Sequence, residues 1–281
     1  MPERQTLNLP EIQLSYLEWN RGKEPLLLLH GLADHGLVWS SLAEKLAPNY
    51  HIVAPDLRGH GESSKPEKGY TFAEIIADLE ALMARLGWTN AHFLAHSWSA
   101  KLLTIWATEH PDRFRSLILV DPFFIGKIPS YFKITFPLLY RVLPFLKTMA
   151  PFASYGEAEQ LARQLKQYQK WTPLQQQVFQ GSIEQKLDGS WGSKFTVAAR
   201  NEIFEEVMRV DGLTELIDIP TLFIKPEKGL NRTEWQLKPY KIYLTNLQIC
   251  EIPGNHWPFL GEAEAFNRTV EKFLQLFYSG K

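Results

Sequence analysis

"FLAHSWSAKL", Phe93–Leu102, runs from an apolar stretch through a histidine and a serine into a segment with helical spacing. Ser97 falls where a strand would end and a helix begin. In an open parallel sheet, reacting groups collect beyond the carboxyl ends of the strands. A nucleophilic serine there needs a tight turn that pushes its hydroxyl outward. Strand and helix backbones pass so closely that the positions two before and two after it must be small, usually glycine in G-x-S-x-G. Here they are Ala95 and Ser99, the next smallest residues. Strand ends also carry serines that only cap or turn the chain, so the surrounding sequence decides between the two readings.

Outward from this turn, short apolar stretches alternate with helical patterns. "IQLSYLEW" (12–19), "PLLLLHG" (25–31), "HIVAP" (51–55), "AHFLA" (91–95) and "SLILV" (116–120) read as strands. Between Thr71 and Leu86, apolar residues at Phe72, Ile75, Ile76, Leu79, Leu82, Met83 and Leu86 form one helical stripe, and Gly87 ends it. A second helix is expected over Ser99–His110. This alternation predicts an α/β protein with a mainly parallel sheet and helices on both faces.

The alternation stops after Asp121. Residues 123–212 read as helices and turns without a clear strand. It resumes at "IPTLFI" (219–224), "LQICEIPG" (247–254) and a closing helix, Glu262–Tyr278. The expected layout is an α/β core, 1–122 and 213–281, interrupted by a helical insertion, 123–212.

Composition narrows the function classes. In 281 residues, 45% hydrophobic and 22% charged side chains suit a folded globular chain. With 30 basic and 31 acidic residues there is no excess charge to attract nucleic acid. The single cysteine, Cys250, excludes an internal disulfide and fits a reducing, cytoplasmic setting. The N-terminal "MPERQTLNLPEIQL" lacks the basic-then-apolar pattern of a signal peptide. The aromatic stretch Ile128–Phe152 is interrupted by Lys133, Arg141 and four prolines, Pro129, Pro137, Pro144 and Pro151. It predicts amphipathic surface helices, open to peripheral membrane contact, rather than the roughly 20-residue span of a transmembrane helix.

Three further stretches bear on Ser97. They are "LLLLHGLADHGLVW" (26–39), "PDLRGHGESSKP" (55–66) and "EIPGNHWPFLGEAEAFNRTV" (251–270). With the Ser97 turn they resemble, in order, the motifs of the α/β-hydrolase superfamily. The resemblance covers the chain except for the insertion, which in that family is a cap over the active site. It implies a serine hydrolase in which Ser97 attacks, and His256 acts as general base and then acid, as an imidazole can near its ordinary pKa of about 6.5. It further implies that the backbone N–H groups of Leu32 and Trp98 hold the oxyanion. The indole after the nucleophile resembles the S-W-G turn of proline iminopeptidases and related amidases.

The third member of such a triad is where the sequence departs from the family. Its commonest position follows the seventh strand, in a segment like I-x-G-E-x-D. The matching "FIKPEKGLN" (223–231) puts Gly229 where the aspartate belongs. Two substitutes remain: Asp121, at the end of the sixth strand, where many haloalkane dehalogenases of this superfamily carry their acid, is the expected third member, and Glu227, two residues before the usual site, is the alternative. A chain with no acid is the third possibility.

Other candidates carry less. His30 and His60 belong to turn motifs, and His96 only precedes the nucleophile. His35 has no HExxH-type pattern or carboxylate cluster around it, so no metal and no cofactor are expected. Asp56 and Arg58 are expected to pair and pin the "DLRGHGES" loop, and Cys250 to be inert core. The aromatic start of the insertion, from Phe123 to Leu146, favours a lipophilic small-molecule substrate, although the same side chains would also serve to pack the insertion down. The expectation is a hydrolase of a carboxylic ester, with amide or C–C cleavage on the same residues, or a non-catalytic ligand receptor, as alternatives.

Overall fold

Leu26, Leu27, Leu28 and Leu29 are all buried, which a strand achieves only when both faces of its sheet are covered. The computed structural model describes residues 2–19, 24–136, 138, 149 and 151–277. Strand β1 is Glu3–Asn8, β2 Gln13–Trp19, β3 Glu24–Leu29, β4 Tyr50–Pro55, β5 Ala91–His96 and β6 Phe114–Val120. Helix α1, Ser40–Leu46, precedes β4; α2, Phe72–Leu86, and α3, Trp98–Glu109, flank β5. After β6 come α4 (Tyr155–Ala162), α5 (Pro173–Ser182), a hairpin of β7 (Ile183–Gln185) and β8 (Trp191–Ser193), and α6 (Val197–Arg209). The chain closes with β9 (Thr221–Lys228), α7 (Glu234–Tyr243), β10 (Leu247–Asn255), the short α8 (Pro258–Gly261) and α9 (Ala263–Gln275).

Eight strands form one sheet in the order β1-β2-β4-β3-β5-β6-β9-β10, antiparallel at β1–β2 and β2–β4 and parallel from there on. Side chains alternate between its faces. Leu27, Leu29, Phe93 and Leu119 pack with the apolar stripe of α2, which includes Ile75, Leu79 and Leu82. Leu26, Leu28, Leu94 and Val120 pack instead with Leu42 of α1 and Phe266 and Val270 of α9. Helix α2 begins at Thr71, whose side chain and Glu74 form a capping box, and ends at Gly87 with a φ of 72°. The sheet is thus the mainly parallel, doubly covered α/β sheet expected from the alternation.

Two strand readings need correction. "ERQTLN" forms β1, a strand that shows no apolar run because four of its six residues are exposed at the sheet edge. The 123–212 segment is not free of strands. The β7–β8 hairpin turns at Asp188-Gly189-Ser190, with Gly189 at a φ of 84°. Asp-Gly is a hairpin signal, but three-residue strands are too short to show a period of two. Within the aromatic stretch, the expectations at Pro137, Leu139, Tyr140, Arg141, Pro144, Phe145 and Leu146 lie outside the described residues. Among the described residues, no helix is long and apolar enough to cross a membrane.

Candidate active site

Ser97 sits between β5 and α3 with a φ of 61° and a ψ of −122°. An L-residue rarely takes such a backbone, and it persists only where the surroundings enforce it. Here the Ser97 N–H donates to the Val120 carbonyl at 3.0 Å. On the helical side, the buried Ser99 hydroxyl donates to the His96 carbonyl at 2.8 Å, which tightens the turn from within. Ala95 and Ser99 are fully buried, so both small residues occupy crowded ground.

The turn aims the Ser97 hydroxyl at His256, with Oγ 3.0 Å from Nε2. On the other side of the ring, Nδ1 lies 2.6 Å from Asp121 Oδ2. An ionised carboxylate only accepts, so Nδ1 carries the proton and Nε2 presents a lone pair to the serine O–H. Asp121 follows β6 and is fully buried. Burial pushes its carboxyl up. The hydrogen bonds from His256, Asn231 and the Leu230 N–H, with the attraction of the imidazole, outweigh burial and hold it below the ordinary carboxylate range.

Of the two candidate acids, the structure brings Asp121 to the histidine. Glu227 is exposed on β9, and among the described residues no hydrogen bond joins it to His256. The loop after β9 instead serves Asp121 by donation. Leu230 N lies 2.8 Å and Asn231 Nδ2 2.9 Å from its oxygens, and Asn231 Nδ2 also reaches the Pro122 carbonyl at 2.8 Å. Asn231 was not singled out from the sequence. Its only signal is its place two residues beyond the vacated acid position.

His96 does more than precede the serine. Its Nε2 donates to the backbone carbonyl of His256 at 2.7 Å and so holds the segment that presents the imidazole. Gly31 makes room for this ring, since a Cβ there would lie 2.4 Å from His96 Nδ1. Behind it lies Asp34, which accepts from Trp257 Nε1 at 3.2 Å. Burial pushes the Asp34 carboxyl up to about 7 against that hydrogen bond.

The remaining residues resolve simply. His30 donates from Nδ1 to the Gly31 carbonyl and accepts the Leu57 N–H, so it shapes the turn. Burial likewise lowers the pKa of His60, which stacks on Phe195. The expected Asp56–Arg58 pair is not formed. Arg58 grips Asp78 of α2 with two nitrogens, at 2.7 and 2.8 Å, whereas Asp56 pairs with Arg4 of β1 at 2.8 Å and accepts the Gly36 and Glu62 N–H groups. Residues two apart in this loop point to different partners, α2 and β1. Cys250 is half-buried on the edge strand β10, not enclosed in the core.

A cavity of about 250 Å³ opens over Ser97 and His256. Leu32 and Trp98 line it; Trp98 is the first residue of α3, so its N–H has no partner within the helix. The apolar wall opposite comes from Ile203, Phe204 and Val207 of α6. Of the aromatic stretch expected to form the lining, Phe123 does so. Ile125 and Phe136 are buried in the core, and Phe124, Tyr131, Phe132 and Leu138 are exposed. The α6 stripe, at i, i+1 and i+4, takes that role instead.

Among known proteins, the chain is 32% identical to a fluoroacetate dehalogenase of a Burkholderia species over 134 residues, 46% of this chain and 42% of that one. It is 31% identical to a soluble epoxide hydrolase of Corynebacterium sp. (strain C12) over 97 residues, 34% of each. These matches span well under half the length of either relative. The solved structure of E-2-(acetamidomethylene)succinate hydrolase superposes with a TM-score of 0.80 at 19% identity, covering 98% of this chain and 100% of that one. The family model for the alpha/beta hydrolase fold matches residues 24–203, which run from β3 into α6. That match takes in more than half of the chain, the Ser97 turn included, and this protein therefore belongs to the alpha/beta hydrolase fold family.

Proposed function

We propose that this protein is a serine hydrolase that cleaves a carboxylic ester of a lipophilic small molecule through an acyl-enzyme. The observation that carries the reading is the chain of contacts Ser97–His256–Asp121 opening into an apolar cavity. Ser97 Oγ attacks the carbonyl carbon while His256 Nε2 takes its proton. The developing oxyanion is held by the N–H groups of Leu32 and Trp98, and Asp121 stabilises the imidazolium. His256 returns the proton to the leaving alcohol, then activates water to release the acid. Residues 123–212 act as a cap whose α6 side shields the carbonyl from bulk water. A chain with one cysteine suits a reducing compartment, and we place the enzyme in the cytoplasm.

The dehalogenase and epoxide hydrolase relatives raise alkyl transfer as a second reading. A serine alkylated by halide displacement or epoxide opening becomes an ether, which offers water no carbonyl to attack, so turnover would end after one cycle. Acyl transfer leaves an ester that the same imidazole can hydrolyse. Amides, and ketones cleaved at a C–C bond, present the same carbonyl, and the amide is tested alongside.

The experiment is labelling with a fluorophosphonate probe, followed by turnover of p-nitrophenyl butyrate and the matching p-nitroanilide. The expected result is stoichiometric labelling at Ser97, abolished in Ser97→Ala, with ester cleavage exceeding anilide cleavage. A folded protein that stays unlabelled, yet gains thermal stability with an apolar ligand, makes it a non-catalytic binding protein.

A further inference from the structure

The cavity over Ser97 is lined by apolar side chains and by three exposed cations. Lys166 reaches it from the cap segment, Lys228 from the end of β9, and Arg232 from the loop that follows. Among the described residues, no acidic side chain lines the cavity, and none of these three cations forms an ion pair. The whole chain carries a net charge of −1, so three unmatched positive charges at one opening run against the overall balance. Arg232 is held in place: Nε donates to the Gly229 carbonyl at 2.7 Å and Nη2 to that of Lys228 at 3.3 Å. Beside Lys166, Gln167 also lines the cavity. It is only 7% exposed, so its side-chain amide is the polar group that stands among the apolar side chains of the cavity.

Resting on the ester hydrolase reading of this site, we propose that the substrate is an anionic ester. Its carbonyl lies over Ser97 and its apolar portion against Phe204 and Val207. A carboxylate or phosphate is held by Lys166, Lys228 and Arg232, with Gln167 donating to it. Guanidinium and ammonium groups lining one opening suit an anionic oxygen group better than any neutral one. Low-dielectric walls around such charges also raise the local concentration of an anionic substrate. Arg232 and Lys228 flank the loop whose N–H groups hold Asp121, so the anion site and the relay share one support.

The test compares the mono-p-nitrophenyl ester of a dicarboxylic acid with the neutral p-nitrophenyl alkanoate of equal length. The expected kcat/KM ratio favours the anionic ester by about tenfold. It declines with added salt and falls towards one in K166Q/K228Q/R232Q. A neutral ester turned over as fast as the anionic one overturns this inference and leaves the ester hydrolase reading intact. A second arm needs no turnover: octanoate, octyl phosphate and octanol are titrated into Ser97→Ala. Octanoate or octyl phosphate binding at least several-fold more tightly than octanol, with the advantage lost in the triple variant, supports the anion site even if no ester is cleaved. The stronger of the two anions identifies the class, and equal affinity for octanol overturns the proposal.

Discussion

The Asp121 carboxylate occupies the space that a side chain at position 229 would fill: a Cβ on Gly229 would lie 2.6 Å from Asp121 Oδ2 and 2.9 Å from Oδ1. Gly229, lacking a side chain, thus leaves the room that the Asp121 carboxylate fills beside His256. Gly229→Ala is expected to push Asp121 away from His256 and lower kcat about 10²-fold, the scale of a 1 Å misplacement. Gly261→Ala, with nothing within 4 Å of the new Cβ, is the control and should retain activity. Steady-state kinetics on p-nitrophenyl butyrate measures both.

The two candidate acids separate by mutation. Asp121→Asn keeps the shape but removes the charge that fixes the Nδ1–H tautomer, and kcat should drop by roughly 10³–10⁴-fold. Glu227→Gln, on an exposed side chain, should stay within about twofold, in keeping with the ±0.5 kcal/mol of most surface substitutions. Equal losses in the two variants would contradict the assignment. Because the Asp121 pKa is lowered by folding, its contribution to stability is present above the ordinary carboxylate value and lost as pH falls through the lower folded one. Asp121→Asn should therefore flatten the acid limb of the thermal stability profile.

The backbone at Ser97 makes a stability prediction independent of chemistry. With a φ of 61°, any Cβ is strained there, whereas glycine is not. Ser97→Ala and Ser97→Gly both lose the hydroxyl and should both be inactive. The glycine variant should nevertheless be more stable than the alanine one by roughly 1–2 kcal/mol, several degrees of Tm for a chain this long. Calorimetry on the pair decides it, and an alanine variant as stable as the glycine one would remove the strain from the account.

Asp34 should make stability depend on pH in the opposite sense to Asp121. Burial raises its carboxyl from 3.8 to about 7, with Trp257 donating to it, His96 Nδ1 3.7 Å away and the Tyr168 hydroxyl nearby. Between those two values the folded chain holds a proton that the unfolded chain has released. Stability from this group is therefore full near pH 4, falls as pH rises towards 7, and levels off above it. The total is about 4 kcal/mol at 1.36 kcal/mol per unit. Melting Asp34→Asn beside the parent from pH 4.5 to 8.5 should show the variant gaining steadily up to pH 7 and holding that lead. A difference independent of pH would mean that Asp34 stays ionised.

The periodicities of this chain settled the sheet and its covering because they report burial, and burial acts on every residue of an element. Four consecutive leucines at 26–29 demand two covered faces, and a stripe from Phe72 to Leu86 demands one. Ser97 and His256 were legible too, because the constraint on each is local: small neighbours at a tight turn, and a loop after a strand. Asp121 was legible as a candidate, but the contact that sets it above Glu227, its Asn231 support and the cations at the cavity opening were not. Asp121 and His256 lie 135 positions apart, and they meet because the strand order sets β6 and β10 on either side of β9. The same holds for Arg58, which reaches α2 rather than the aspartate two residues before it, and for the cavity wall, which α6 supplies in place of the aromatic run. A pattern of neighbours in sequence records local sterics and solvent exposure. Contacts between side chains from different strands and helices come into being only when the sheet order brings those elements side by side.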